Sequence, residues 1–241
     1  DAKRPDQPQR ARKTEKLEYQ LVNATAITDE MTMQRLAMVE QLRTTHKIAD
    51  ERVLDVMARV PRHLFVPVAI KSQAYKDNAL PISGGQTISQ PFIVARMTEL
   101  LGLTGNEKVL EIGAGSGYQT AILASLARSV FAIERLVNLA DEASRRLQTL
   151  GITNVTLKTA DGTTGWENYA PYDAILVAAG GPDIPEPLVK QLKIGGKLDI
   201  PIGDDQRSQS LIRVTRTESS STQENFGGCA FVPLIGEFGW K

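Results

Sequence analysis

Beyond Lys108 the chain alternates short apolar runs with segments whose apolar residues recur at helical spacing. Apolar runs bounded by turn residues predict buried strands, and the periodic segments between them predict helices. Strands that alternate with helices indicate the α/β class, with a doubly wound, mostly parallel sheet that is covered on both faces. The predicted strands are residues 108–112, 129–134, 154–159, 173–178, 196–201 and 210–216, and the predicted helices are 118–127, 135–150 and 185–193.

Before the first predicted strand the pattern is helical. Apolar residues recur at helical spacing after Thr28–Asp29, which is a candidate N-terminal cap. A second helix is predicted over Asp50–Val60, where Pro61 ends it, and a third over Phe92–Leu101. The sequence therefore predicts a helical N-terminal extension on the α/β sheet.

Three further segments lie between or after the predicted strands. The pair Gly195–Gly196 predicts the turn that joins the last helix to the strand at 196–201. The polar stretch Thr217–Asn225 predicts a loop, and the run Cys229–Leu234 predicts one more strand. Each of these predictions rests on residue type alone, without a clear period.

The length of 241 residues is enough for one large domain with an extension. Residues 1–25 are polar and carry Pro and Arg, which predicts a flexible tail. Residues 26–241 are expected to form a single domain. Within it we expect N-terminal helices and a polar loop over 26–91, followed by the α/β core and the C-terminal strands over 92–241.

Composition narrows the class of protein further. Lys plus Arg and Asp plus Glu both number 28, so no net charge attracts the chain to nucleic acid or to anionic lipid. With Cys229 as the only cysteine, and only His46 and His63 as histidines, an internal disulfide and a Cys- or His-rich metal site are excluded. No apolar run approaches the roughly 20 residues of a membrane span. A cytoplasmic protein without a metal, a membrane or a nucleic acid partner is expected.

The segment Val109–Tyr118 reads Val-Leu-Glu-Ile-Gly-Ala-Gly-Ser-Gly-Tyr and carries the clearest chemical signal. A predicted strand leads into three alternating glycines, and a predicted helix follows at once. Glycine lets the chain turn sharply and lets a ligand lie against bare backbone. The helix adds free N–H groups and a partial positive charge. This arrangement predicts a nucleotide-like cofactor at the carboxyl end of a parallel sheet.

The spacing of the loop and two acids suggest which cofactor this is. Dinucleotide loops space their glycines G-x-G-x-x-G, whereas this loop reads G-x-G-x-G. Glu111 would repel a pyrophosphate but tolerate the sulfonium and ammonium of S-adenosylmethionine. Glu134 ends the next strand, where an acid commonly binds ribose hydroxyls. The alternatives are a plain tight turn with solvated acids and, least favoured, a nicotinamide dehydrogenase.

A second candidate segment is the polar loop of residues 81–91, Pro-Ile-Ser-Gly-Gly-Gln-Thr-Ile-Ser-Gln-Pro, which shows no period. Loops between packed elements commonly carry function. From the residues alone, Ser89 has two equal interpretations: a functional serine, or the cap of the helix that starts at Phe92.

Taken together, these motifs resemble the protein-L-isoaspartate O-methyltransferase family, over about Gln34 to Ile235. The polar loop just upstream of the glycine loop is the most specific part of the resemblance. The segments that carry it are Arg59–Arg62, Phe65–Val66, Gly85–Pro91, Val109–Tyr118, Asp161–Gly162, Pro171–Ile175, Gly195–Gly196 and Val232–Leu234.

The resemblance implies a Rossmann-like fold of the S-adenosylmethionine-dependent type, with the domain 26–241 as the methyltransferase domain and Ser89 as the active-site serine. Asp161 and Gly162 are expected at the adenine edge, with an ordinary turn as the alternative. The implied cofactor-binding residues are Thr87, Ile88, Glu111, Gly113, Gly115, Gly117, Glu134, Asp161 and Gly162.

The implied reaction is methylation of the α-carboxylate of L-isoaspartyl residues in damaged proteins and peptides. The cofactor would leave as S-adenosyl-L-homocysteine, and the ester would close to a succinimide that returns some aspartyl. No metal is expected, and neither is a nucleic acid or membrane partner; the enzyme is expected to be a monomer. The alternatives are a methyltransferase for another peptide carboxylate and a non-catalytic module that binds the cofactor.

Overall fold

The computed structural model of the protein describes residues 30–205 and 208–241. The predicted tail of residues 1–25 and the predicted cap Thr28–Asp29 lie outside the described residues. Within the described ranges, every helix is too short or too polar to cross a membrane.

Three helices precede the main sheet, as predicted. α1 covers residues 30–44, α2 covers Glu51–Arg59 and α3 covers Pro91–Leu101. The side chain of Asp50 caps α2 by accepting hydrogen bonds from first-turn amides. α3 ends at Gly102, whose φ of 65° is left-handed and therefore suits glycine. These helices form the N-terminal extension that the periodicity predicts.

A small hairpin and a large sheet follow. The hairpin pairs β1 (Leu80–Pro81) with β2 (Thr87–Ile88) in antiparallel fashion. The large sheet has the strand order β5-β4-β3-β6-β7-β8-β9, with β3 to β7 parallel and β8 and β9 antiparallel at one side. Its strands are β3 (Lys108–Ile112), β4 (Ser129–Glu134), β5 (Val155–Thr159), β6 (Tyr172–Val177), β7 (Leu192–Ile202), β8 (Gln209–Arg216) and β9 (Ser221–Cys229).

The strand order reverses at β3, because the chain continues to β4 on one side and later returns to β6 on the other. In open α/β sheets, ligands bind outside the carboxyl ends of the strands at such a reversal. The glycine loop follows β3 directly, so the fold places it at this point.

Both faces of the sheet are buried, because successive residues of a strand point to opposite sides. Val109 packs with residues of α1 to α4 in one apolar core, whereas Leu110 belongs to a second core on the opposite face. The doubly wound prediction is confirmed. The covering helices that follow the glycine loop are α4 (Tyr118–Leu126), α5 (Val137–Thr149) and α6 (Glu186–Lys190).

The predicted turn at Gly195–Gly196 is wrong, because both glycines lie inside β7. The register of β7 against β6 shifts between Tyr172 and Ala174, which marks a bulge. Gly195 has a φ of 80°, and a Cβ on Gly196 would lie 3.0 Å from the carbonyl oxygen of Asp173. The glycines therefore serve a close approach between two strands.

The predictions for the C-terminal part are also corrected. Much of the stretch predicted as a loop, Thr217–Asn225, belongs to β9, an edge strand that is mostly exposed. The predicted strand Cys229–Leu234 overlaps β9 only at Cys229 and otherwise forms an isolated bridge from Pro233 to Gly180. There the amide of Leu234 donates to the carbonyl of Gly180 at 2.8 Å. An exposed edge strand needs no apolar alternation, which explains why the sequence pattern missed it.

Candidate functional site

A cleft opens at the carboxyl ends of β3 and β4, beneath the hairpin β1–β2. The hairpin turn is closed by a hydrogen bond from the amide of Ile82 to the carbonyl of Gln86 at 2.9 Å. A segment from far along the chain forms the opposite wall. Residues that line this cleft include Thr87, Ile112, Gly113, Gly115, Ile133, Glu134, Arg135, Gly162 and, from the distant segment, Val232 to Ile235.

A smaller pocket adjoins the cleft on the side of α3 and α4. Its lining includes Ile88, Ser89, Val94, Met97, Tyr118, Gln119 and Phe231. The cleft and the pocket share four wall residues, which are Thr87, Gly113, Gly115 and Ala178. The loop that carries Ser89 therefore meets the glycine loop, as the sequence-based hypothesis requires.

The three glycines of the loop have different surroundings. Gly113 and Gly115, with φ values of 87° and 55°, line both the cleft and the pocket. A Cβ on Gly115 would point toward Ile82, 3.6 Å from its Cδ1. Gly117 instead occupies the N-cap position of α4 with a φ of 88°, and its added Cβ would lie 3.2 Å from that of Ala143. Two glycines thus present bare backbone to a ligand, and the third allows close helix packing.

Glu134 lines the cleft and also stiffens the glycine loop. Its Oε2 accepts a hydrogen bond from the amide of Gly115, and its Oε1 accepts one from the amide of Leu136, both at 2.9 Å. Each carboxylate oxygen has further lone pairs. The side chain can therefore also accept hydrogen bonds from hydroxyl groups of a ligand.

Glu111 lies elsewhere, fully buried on the face of β3 that packs toward α4. Neither of its carboxylate oxygens has a hydrogen-bond partner among the described residues. Burial raises the pKa of Glu111 to about 8, and the charge of Glu134 adds to this shift. The side chain lines neither the cleft nor the pocket, and its predicted contact with a cofactor stays a prediction.

Asp161 and Gly162 follow β5 and have different roles. Asp161 accepts hydrogen bonds from the amide and hydroxyl of Thr163, at 2.8 and 2.7 Å, and from the amide of Glu237 at 2.8 Å. Burial alone would raise the pKa of Asp161, but these donors bring it below its usual value. Gly162 lines the cleft, where an added Cβ would overlap Ile112. Asp161 therefore anchors the C-terminal segment, while Gly162 keeps the cleft floor open.

Ser89 is half-buried and does not cap α3. The helix begins at Pro91, and its N-cap residue, Gln90, makes no side-chain cap. The carboxylate of Asp77 takes this role by accepting a hydrogen bond from the amide of Phe92 at 2.8 Å. The alternative interpretation of Ser89 as a helix cap is therefore wrong.

Sequence reasoning assigned no role to several residues at this site. Arg62 is fully buried and donates a hydrogen bond from Nη2 to the carbonyl of Ser89 at 2.8 Å. Arg135 and the segment 232–235 line the cleft. The position of Arg62 between the apolar residues Pro61 and Phe65 was the one sign in the sequence that it is buried. Its hydrogen-bond partners could not be identified, because they are distant in sequence.

A parallel sheet with a strand reversal, a glycine loop at that reversal and an acid at the next strand end define a Rossmann-like methyltransferase of the S-adenosylmethionine-dependent type. Within that class the chain can be placed more closely. It belongs to the family Protein-L-isoaspartate(D-aspartate) O-methyltransferase, which matches residues 33–239.

Individual relatives agree with this placement. The protein-L-isoaspartate O-methyltransferase of Syntrophus aciditrophicus is 54% identical over 216 residues, which is 88% of this chain and 99% of that protein. That of Dictyoglomus thermophilum is 53% identical over 214 residues, 89% of this chain and 96% of that protein.

Solved structures agree as well. A structure of a protein-L-isoaspartate O-methyltransferase matches with a TM-score of 0.76 at 28% identity, over 85% of this chain and 67% of the other. A putative protein-L-isoaspartate O-methyltransferase from Plasmodium falciparum, solved in complex with S-adenosyl-L-homocysteine, matches with a TM-score of 0.72 at 25% identity. That match covers 83% of this chain and 98% of the other.

Proposed function

We propose that this chain is a protein-repair methyltransferase that esterifies the α-carboxylate of L-isoaspartyl residues in damaged proteins and peptides. The neighbouring amide nitrogen then attacks the ester carbonyl without further catalysis, which releases methanol and leaves a succinimide. Hydrolysis of the succinimide returns part of the damage to aspartyl. The family supplies the reaction class, and the site supplies the residues that would carry it.

The shared wall between the cleft and the pocket is the observation that carries this proposal. Gly113 and Gly115 line both spaces with bare backbone, and Ser89 lines the smaller one. A methyl donor in the cleft and an acceptor in the pocket would therefore meet beside the glycine loop, where the two spaces adjoin. Methyl transfer needs this opposition, because the attacking oxygen must be in line with the bond that breaks.

The residues present fit S-adenosylmethionine. The cleft offers glycine backbone, apolar walls from Ile112 and Ile133, and one acid, Glu134, that can bind ribose hydroxyls. Thr87, Gly113, Gly115 and Gly162 would contact the cofactor directly. We propose indirect roles for the other predicted residues. Ile88 and Gly117 would support the site by packing, and Asp161 would hold the cleft wall in place. Glu111 would act through its buried carboxyl group, which lies in the strand that leads into the glycine loop.

The chemistry asks little of the protein beyond placement. When bound, the cofactor supplies an electrophilic methyl group on a sulfonium and leaves as S-adenosyl-L-homocysteine. A carboxyl group with a pKa of about 4 is already ionised at neutral pH, so no general base is needed. Ser89 is the proposed catalytic residue: its hydroxyl donates a hydrogen bond that orients the substrate carboxylate. Good alignment of two reactants can lower a barrier by as much as about 7–11 kcal/mol.

We further propose that the enzyme works as a cytoplasmic monomer on isoaspartyl proteins and peptides, without a metal, a nucleic acid or a membrane. The balance of 28 basic and 28 acidic residues supports the absence of a nucleic acid or membrane partner, since it gives no net attraction to polyanions. Light scattering after size exclusion tests the monomer, and a dimer mass would contradict it.

The decisive experiment compares two peptides that differ only in an L-isoaspartyl or an aspartyl linkage. With S-adenosylmethionine present, we expect methylation of the isoaspartyl peptide and none of its twin, measured by mass spectrometry. Equal rates on both would favour the alternative of a methyltransferase for other carboxylates. Cofactor binding without turnover on either peptide would favour the binding module.

A further inference from the structure

Arg62 is the largest fully buried side chain of the described residues and belongs to the short helical turn Arg62–Leu64 after α2. Burying a cation is costly unless its donors are used. Burial lowers the pKa of this guanidinium to about 10, so it remains charged at neutral pH. Among the described residues no carboxylate lies within ion-pair distance of it. A charge kept in this position needs a structural or functional reason.

Two donor atoms of Arg62 join two separate segments, while its Nη1 has no hydrogen-bond partner among the described residues. Its Nε donates to the carbonyl of Ala74, and its Nη2 donates to the carbonyl of Ser89, both at 2.8 Å. The planar fork of arginine can hold two acceptors in fixed directions, which a lysine cannot. Ser89 is also one of the residues that line the smaller pocket beside the glycine loop.

The guanidinium also lies against the start of α4. Its Cζ is 4.9 Å from the ring centroid of Tyr118, the residue that follows the glycine loop and lines the smaller pocket. A cation over an aromatic face in a buried site is favourable. Arg62 therefore touches the segment that carries Ser89 and the helix that follows the glycine loop.

A second anchor holds the other side of Ser89. The carboxylate of Asp77 binds the amide of Phe92 and lies 2.8 Å from Nε2 of His46. Ser89 thus lies between an anchor on its own carbonyl and an anchor on the helix that begins two residues later. Such a double attachment fixes the backbone from which the hydroxyl projects.

We propose that Arg62 is a positioning residue for methyl transfer: by holding the carbonyl of Ser89 against the start of α4, it sets the direction of the Ser89 hydroxyl. Arg62 itself lines neither the cleft nor the pocket and acts only through Ser89. This inference rests on the proposed function, because it assigns Arg62 a part in that reaction.

The test compares Arg62→Met, Arg62→Lys and a matched control, Arg213→Lys. Arg213 is also largely buried and donates to a backbone carbonyl, that of Leu100, which lies at the end of α3 opposite to Ser89. For both Arg62 variants we expect kcat on an isoaspartyl peptide to fall about 10- to 100-fold, the effect of losing one charge-assisted hydrogen bond. The fall is expected to be smaller for lysine, with unchanged affinity for S-adenosyl-L-homocysteine. Arg213→Lys is expected to lower the melting temperature and leave kcat unchanged.

Amide hydrogen exchange of residues 87–90 provides a readout that does not depend on activity. We expect faster exchange there in both Arg62 variants and wild-type exchange in Arg213→Lys. Wild-type kcat and wild-type exchange in a folded Arg62→Lys protein would overturn the inference, as would loss of cofactor affinity. If the methionine variant does not fold, the lysine variant decides. If the wild-type enzyme did not methylate the isoaspartyl peptide, the proposed function would be refuted instead. The hydrogen-exchange data would still test whether Arg62 holds the segment that carries Ser89.

Discussion

Replacing Gly115 by valine tests whether the glycine loop is the floor of the cofactor cleft. Gly115 has a φ of 55°, and among the described residues an added Cβ would have only Ile82 and the carbonyl of Gly113 within 4 Å. The two methyl groups of valine would therefore project into space that both the cleft and the pocket use. Overpacking of this kind costs about 1–3 kcal/mol, which corresponds to a loss of binding of about 5- to 150-fold.

The same substitution also strains the backbone, since a left-handed conformation costs a non-glycine residue about 1–2 kcal/mol. Gly151 provides a matched control, because its φ is 70° and nothing lies within 4 Å of an added Cβ. Gly115→Val and Gly151→Val should each lower the melting temperature by about 2–8 °C. Only Gly115→Val should weaken the binding of S-adenosyl-L-homocysteine.

The assay is calorimetric titration with S-adenosyl-L-homocysteine, alongside thermal melts of the three proteins. We expect wild-type affinity for Gly151→Val and loss of affinity for Gly115→Val in a folded protein. Wild-type affinity in Gly115→Val would refute the placement of the cofactor against this loop. Equal loss in both variants would mean that backbone strain, and not obstruction, controls binding.

Three other substitutions test separate parts of the site. Ser89→Ala should lower kcat about tenfold, as expected for one lost hydrogen bond of about 1.5 kcal/mol, and leave the affinity for S-adenosyl-L-homocysteine unchanged in calorimetry. Asp77→Ala removes the cap of α3 and should lower the free energy of unfolding by about 0.5–2 kcal/mol in urea titrations, with a higher KM for the peptide. Glu111→Gln should change how stability depends on pH. Because burial raises the folded pKa of Glu111 to about 8, ionisation penalises the folded state, and wild type should lose stability relative to the variant as pH rises from about 4.5 to 8.

Each of these expectations can fail. Unchanged turnover in Ser89→Ala would remove the serine from the reaction, and lost cofactor affinity would make its role structural. Wild-type stability in Asp77→Ala would show that the amide of Phe92 does not depend on this carboxylate. For Glu111, urea titrations between pH 5 and 8 with parallel curves for the two proteins would contradict a raised pKa; the sign follows because only the folded state binds the extra proton in this range.

The local features of this site could be predicted from the sequence, because each depends on a few neighbouring residues. Gly113 and Gly115 interrupt an apolar strand, and Glu134 ends the next one, so the cleft at the strand ends follows from spacing. The roles of Arg62 and Asp77 could not be predicted, because their partners lie 27 and 15 residues away. A buried arginine and an exposed one look alike in a sequence until the fold places them.

Strands at the edge of the sheet were also difficult to predict from the sequence. β9 is polar and exposed, so it lacks the apolar signal that marks β3 and β4. The pair Gly195–Gly196 shows a related ambiguity, because glycine is equally suited to a turn and to a strand bulge. Only the pairing of β7 with β6 decides between these two, and pairing is a property of the assembled sheet.

The wall formed by residues 232–235 has a consequence for the order of events during folding. It follows the last strand of the sheet, and hydrogen bonds from Glu237 to Asp161 and from Trp240 to Gly180 hold it in place. A chain that has formed only the glycine loop and its neighbouring strands still lacks one side of the cleft. Binding of the cofactor therefore cannot stabilise early folding intermediates. It stabilises only a chain whose C-terminal segment has already docked, so cofactor binding indicates that folding is complete.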